Sequence, residues 1–254
     1  MAPSSSTTAS SAGGAGTPPA FSRTRWSLVA DLHQPDDERV GRSLRELCER
    51  YAFAVYAYAR RSGHGPEAAN DLCLSFFAQL PEAVAGQDLR SQGRFRDFLL
   101  LRLNRFLASD RPQVSSEAIR QRLSAPLPVA TFEQRLQRHG EGTTTPTQAY
   151  HRSFALDVIE HAMQRLQSEV LQVGRQEMFE VLQPYLAVEP GPGAHAELAR
   201  QLSMSPLSVA VAIRRLRERF RELADDELAQ TVSSREELDH ERSAMAELLA
   251  GLPP

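Results

Sequence analysis

A chain of 254 residues with 41% hydrophobic and 24% charged residues has the balance of a soluble globular protein and could bury one large core or two smaller ones. Its 29 basic residues are all arginine, set against 32 acidic ones, so chemistry that needs a lysine is excluded: a lysine P-loop, a Schiff base, a Ser-x-x-Lys nucleophile. The only cysteines, Cys48 and Cys73, are too few for a disulfide framework and fit a reducing cytoplasm, and no apolar run approaches the ~20 residues of a membrane span.

Residues 1–22, mostly small and polar, bury too little apolar surface to offset chain ordering and read as a disordered tail without the features of a secretory signal. The following segment, to residue 110, reads as helical. Trp26 opens it, as a packing anchor rather than a base-stacking platform. "RVGRSLRELCERYAFAVYAYARRSG" sets Val40, Leu44, Leu47, Tyr51, Val55 and Tyr58 at three- and four-residue spacing, one apolar stripe. "GHGP" breaks it, with Pro66 suited to the first position of the next helix. "PEAANDLCLSFFAQL" aligns Ala69, Leu72, Phe76 and Leu80, and "RFRDFLLLRLNRFLASD" aligns Phe95, Phe98, Leu99, Leu103 and Phe106. Residues 111–149, with Pro112, Pro126, Pro128, Pro146 and "GEGTTTPT", read as a flexible linker with room for a short helix at 130–138. "YHRSFALDVIEHAMQRLQSEVLQVGRQEMFEVLQPYL" then gives two more amphipathic helices, closed by "AVEPGPG".

Charge is uneven. Residues 194–223 sum to +3 and residues 224–254 to −6, within a total of −3. The basic island reads as a short helix, "AELARQL", a turn, "SMS", and a longer helix that Ser205 can cap and Pro206 can start. Val209, Ile213, Leu216, Phe220 and Leu223 form its apolar stripe, while Arg214, Arg215, Arg217, Arg219 and Arg221 take the other sides. That is the helix-turn-helix pattern, whose second helix can enter the DNA major groove; the plainer alternative is a helical hairpin with a solvated face. Ser203 stands where the turn usually has glycine, so it must tolerate a left-handed backbone. Residues 233–254 read as a last, acidic helix through Leu238, Met245 and Leu249 that keeps the chain soluble, with capping or folding back on arginines as alternatives.

No catalytic residue, metal site or cofactor is expected. "DHERS" lacks the second histidine of a zinc protease motif, no glycine-rich phosphate loop or Gly-x-Ser-x-Gly occurs, and the seven histidines show no ligand spacing. His195 reads as a surface or capping residue, and the cysteines as small buried hydrophobes.

The order of "TRWSLV", "LCERYAFAVYAYARRSGHGPEAANDL", "FFAQL", "GRFRDFLLLRLNRFLAS" and "ELARQLSMSPLSVAVAIRRLRERFREL" resembles the RNA polymerase sigma factors, nearest the extracytoplasmic-function branch. The resemblance implies an all-α chain: a polymerase-docking and promoter-melting domain at 23–110, the linker at 111–149, and a helix-turn-helix domain at 150–232 that reads a promoter. It puts Asp71, Leu72, Phe76 and Phe77 against core polymerase. It puts Arg94, Phe95, Arg96, Arg102, Asn104 and Arg105 near melted DNA, and Ser205, Pro206, Ser208, Ala210, Val211, Arg214, Arg215 and Arg217 on the upstream reader. The implied partners are core RNA polymerase and promoter DNA, with an anti-sigma protein left open, in the cytoplasm and away from membranes. Leu74, Ser75 and Ala210 depart from the family's usual residues. They motivate the alternative of a sigma-like regulator that acts through protein partners without reading promoters.

Overall fold

The computed structural model describes residues 25–34, 37–85, 93–109, 127–138, 145–232 and 234–250, which contain ten α-helices, one 3-10 turn and no strand. The expected disordered tail, 1–22, lies outside the described residues. No described helix is long and apolar enough to cross a membrane.

The axis of the first core is α2 (Asp37–Arg61), which at 1.5 Å per residue is about 37 Å long. The sequence predicts one apolar stripe here, but every residue from Tyr51 to Ala57 is buried. A helix apolar on all sides is an interior helix. The small side chains of Ala52, Ala54, Ala57 and Ala59 let neighbours close on faces the stripe leaves open. Those neighbours are α1 (Arg25–Asp31), α3 (Pro66–Val84), α5 (Val129–Arg138) and α6 (Pro146–Gln172). Trp26 of α1 packs edge-on against Phe95 and Phe98 at 5.3 and 5.0 Å, the anchoring role expected of it. Cys48 and Cys73 are buried and unpaired, and burial raises both thiol pKa values.

The α3 helix runs past Leu80, where its apolar pattern ends, and carries Pro81 inside it. Its last carbonyls are held from outside: the His33 ring sits 2.7 Å from the Val84 carbonyl, and Arg102 donates to that of Ala83 at 3.3 Å. Helix ends leave such carbonyls without intrahelical partners, so this bonding supports the extra turn.

The segment expected to be a linker contains α5, and α5 is docked. Phe132 is buried against Phe53 and Tyr56, Glu133 accepts from Tyr56 and Arg60, and Arg135 lies 3.7 Å from the Phe53 ring while donating to Asp157 at 2.7 Å. Residues 110–126 and 139–144 of this region lie outside the described residues. The start of α6 is built by a reciprocal capping box between Thr145 and Gln148, with Pro146 in the first turn.

Long helices join two apolar clusters. The first half of α6 (Tyr150, Phe154, Val158) belongs to the first core, and the second half (Ala162, Leu166, Val170) to another formed with α7 (Gln176–Leu182), the 3-10 turn Gln183–Leu186, α8 (Ala194–Gln201) and most of α9 (Pro206–Ala229). The end of α9 returns to the first core through Leu228 and Ala229. At the crossover, buried Glu227 accepts from Arg50 at 2.7 Å and Arg165 at 3.1 Å. The last helix, α10 (Arg235–Ala250), buries Leu238 and Met245 and packs on α6 and α9. It therefore caps the molecule rather than serving only to keep it soluble.

Candidate nucleic-acid interface

Short α8 and long α9 meet at a turn that the backbone specifies closely. Ser203 has φ 52°, the left-handed region that costs a non-glycine residue roughly 1–2 kcal/mol. Its N–H donates to the Arg200 carbonyl and that of Met204 to the Ala199 carbonyl, the paired bonds that close a helix around a left-handed residue. The same bonding recurs after α2 and α6, where glycines occupy the position: Gly63 with φ 95° and Gly174 with φ 68°. Ser203 is the serine that does a glycine's work, as the sequence requires.

Two residues on, the Ser205 hydroxyl accepts from the Ser208 N–H at 3.1 Å, and Pro206 fills the first position of α9. The cap and start expected from the sequence are thus present. Val209, Ile213, Leu216 and Leu223 are buried, so the opposite face is turned outward. Leu207, in the first turn of that face, is 75% exposed. Pro206 and Ser208 beside it are exposed, while Ala210 and Val211 are half-buried.

The arginines of α9 divide into two groups. Arg219 donates to Glu169 of α6 and to Glu222, and those hydrogen bonds raise its pKa further and lower that of Glu169. Arg217 has a side chain only 17% exposed and donates to the Tyr185 and Val188 carbonyls and to Glu189. These two fasten α9 to the rest of the molecule. Arg214 is 70% exposed with one loose partner, Glu218, at 3.8 Å; Arg215 and Arg221 are exposed and make no ion pair among the described residues. Three guanidinium groups thus stand outward, a face that can take anions.

Half of the expected promoter-melting set is interior. Phe95, Arg96 and Arg102 are buried; only Arg94, Asn104 and Arg105 reach the surface. The reason is α10. Glu241, 0% exposed, lies 2.6 Å from Arg96 and 3.6 Å from Arg94, and burial raises its carboxyl pKa. Arg96 also meets His151 at 2.9 Å, where burial and the guanidinium lower the imidazole pKa. The first turn of α4 (Phe95–Leu107) is closed by the Thr231 carbonyl, which accepts from the Phe95 N–H at 3.1 Å. Arg102 lies over the Phe98 ring at 4.9 Å. In this arrangement a side chain such as Phe95 cannot touch a base.

The expected polymerase set fares similarly. Asp71 reaches the surface, whereas Leu72, Phe76 and Phe77 are buried, as is every residue from 72 to 80, including Leu74 and Ser75. The docked α5 lies against α3 as well as α2 and helps to enclose it.

Sequence reasoning passed over Glu189 and His195 as parts of a site. Both line a cleft of about 330 Å³ with Pro190, Ala210, Arg214, Arg217 and Arg221. The spacing of residues 210, 214, 217 and 221 along one side of α9 was available as a signal; the approach of the 187–194 connection was not. Comparison of the chain with protein-family models, curated proteins and solved structures finds no match.

Proposed function

We propose that the chain is a sigma-factor-like transcription initiation protein, without catalysis of its own, that associates with core RNA polymerase and directs it to promoters through a helix-turn-helix made of α8 and α9. The reading rests on the co-linear motifs of the sequence. The observation that carries it is the outer face of α9: capped at its start, fixed by Arg217 and Arg219, and presenting Arg214, Arg215 and Arg221 outward. Such a helix meets base edges through its first turns and phosphates through its arginines. Two functional modules, one around α2–α4 and one around α8–α9, belong to the same reading. The cytoplasm is its natural setting.

A second reading is favoured by a specific observation: Phe95, Arg96, Arg102, Leu72, Phe76 and Phe77 are buried. A sigma-like regulator that has given up melting and docking, and acts through protein partners, would have these surfaces closed. Reconstituted transcription separates the two. Purified chain mixed with core polymerase and genomic DNA fragments should yield discrete start sites under the first reading. Retention of the chain by core polymerase with no promoter-directed transcript favours the second, and loss of both retention and transcript removes the first.

A further inference from the structure

The cleft beside α9 holds more positive charge than its one carboxylate answers. Arg214, Arg217 and Arg221 line it with His195, against Glu189 alone. Arg217 is fixed before any ligand arrives: its Nε donates to the Tyr185 carbonyl at 2.8 Å and its Nη2 to that of Val188 at 2.9 Å, and its remaining edge meets Glu189. Glu189, whose side chain is 81% exposed, has Arg217 as its one ion-pair partner among the described residues. Ala210 keeps the floor low beside the helix axis.

A guanidinium fork binds carboxylate and phosphate oxygens by the same geometry. We infer that this cleft is a phosphate seat formed by His195, Arg214, Arg217 and Arg221, in which the Glu189 carboxylate stands until a phosphate displaces it. The inference builds on the reading of α9 as a DNA helix, under which the phosphate is that of a strand backbone. A phosphate seated there leaves the exposed Leu207 and Ser208, nearer the start of α9, free to face bases. His195 anchors the far wall from the first turn of α8, so the seat also fixes the α8–α9 pair against one strand. A free polyphosphate offers the same chemistry from another source.

The test uses the full chain and a fluorescent duplex of mixed sequence, read by anisotropy over a sodium chloride series. Glu189→Gln, an exposed and nearly isosteric change, should tighten binding about two- to fivefold by removing the competing charge. Arg221→Ala and His195→Ala should weaken it, and Arg221→Ala should reduce the slope of log affinity against log salt by about 1. Arg138→Ala, an exposed arginine on α5, controls for bulk charge. Unchanged affinity in Glu189→Gln, or equal losses in Arg221→Ala and Arg138→Ala, overturns the seat even if the duplex is bound. If the wild-type chain binds no duplex, the reading of α9 fails separately, and calorimetry with inorganic pyrophosphate decides the seat. Tighter binding to Glu189→Gln than to wild type then supports a free phosphate ligand, and no binding to either overturns the seat.

Discussion

Two arginine-rich helices in this molecule start from similar sequence and place key arginines in opposite environments. Around α4, "RFRDFLLLRLNRF" interleaves arginines with aromatic and aliphatic residues; along α9, "VAVAIRRLRERF" does the same. Arg96 and Arg102 are buried, whereas Arg214, Arg215 and Arg221 are exposed. Local pattern does not separate them. What does is closure by distant chain: α10 brings Glu241 to Arg96, the turn after α9 supplies the Thr231 carbonyl and α3 supplies the Ala83 carbonyl to Arg102, while no described residue closes over the outer face of α9 in this way. An arginine's role is set by what is folded over it, and that information lies far away in sequence.

The largest expected effect breaks the closed cluster. Glu241→Ala leaves Arg96 interior without its carboxylate, and removing one partner of a buried pair costs about 3–5 kcal/mol. The double change Arg214→Ala with Arg215→Ala, on the open cluster, should alter stability by less than about 0.5 kcal/mol. Urea denaturation of both variants checks the contrast; equal losses would mean that the two clusters are structurally alike. Phe95→Ala belongs with the first group and should cost about 3–5 kcal/mol as a core truncation, which a DNA-facing phenylalanine would not.

How much of this was legible in sequence follows from the range of the forces involved. The Ser205 cap, Pro206, and the left-handed requirement at Ser203 are local backbone chemistry and stand as expected. The apolar stripes gave one face of each helix, but not the enclosure of α2 and α3 on all sides, which needs α5 and α6 brought from distant parts of the chain. The short helix at 130–138 was legible within 111–149 but its docking was not, because a ten-residue helix held by Phe132, Glu133 and Arg135 draws its stability from tertiary partners rather than propensity. At the candidate interface the exposed arginines were visible as charge. The pairing of Arg217 with two carbonyls and of Arg219 with Glu169 was not, since those partners lie outside α9.

A pH series sharpens the contrast on the buried side. Asp157, under Arg135, has its pKa raised by burial to about 7 from an ordinary 3.8. Its folded pKa lies above the unfolded one, so its contribution is full below 3.8 and is lost as pH rises through 7. Asp157→Asn cannot titrate. The melting temperature of the variant relative to wild type should therefore climb as pH rises across that window, and a constant difference would place the carboxyl in water.

A modest effect concerns the turn of the open side. Ser203→Gly should stabilise by up to about 1 kcal/mol, because glycine enters the left-handed region without the penalty a side chain carries. A destabilisation measured by thermal melting would show that the Ser203 side chain has a structural part beyond its backbone.

The central claim is that the open arginine face of α9 takes nucleic acid. Anisotropy titration of labelled duplex with the intact chain, repeated from about 50 to 200 mM salt, tests it directly, since each phosphate contact adds about one to the slope of log affinity against log salt. Wild type should bind with a steep slope that falls by about 2 in the Arg214→Ala, Arg215→Ala double variant. Binding that is absent, or a slope that the double substitution leaves unchanged, would contradict the account.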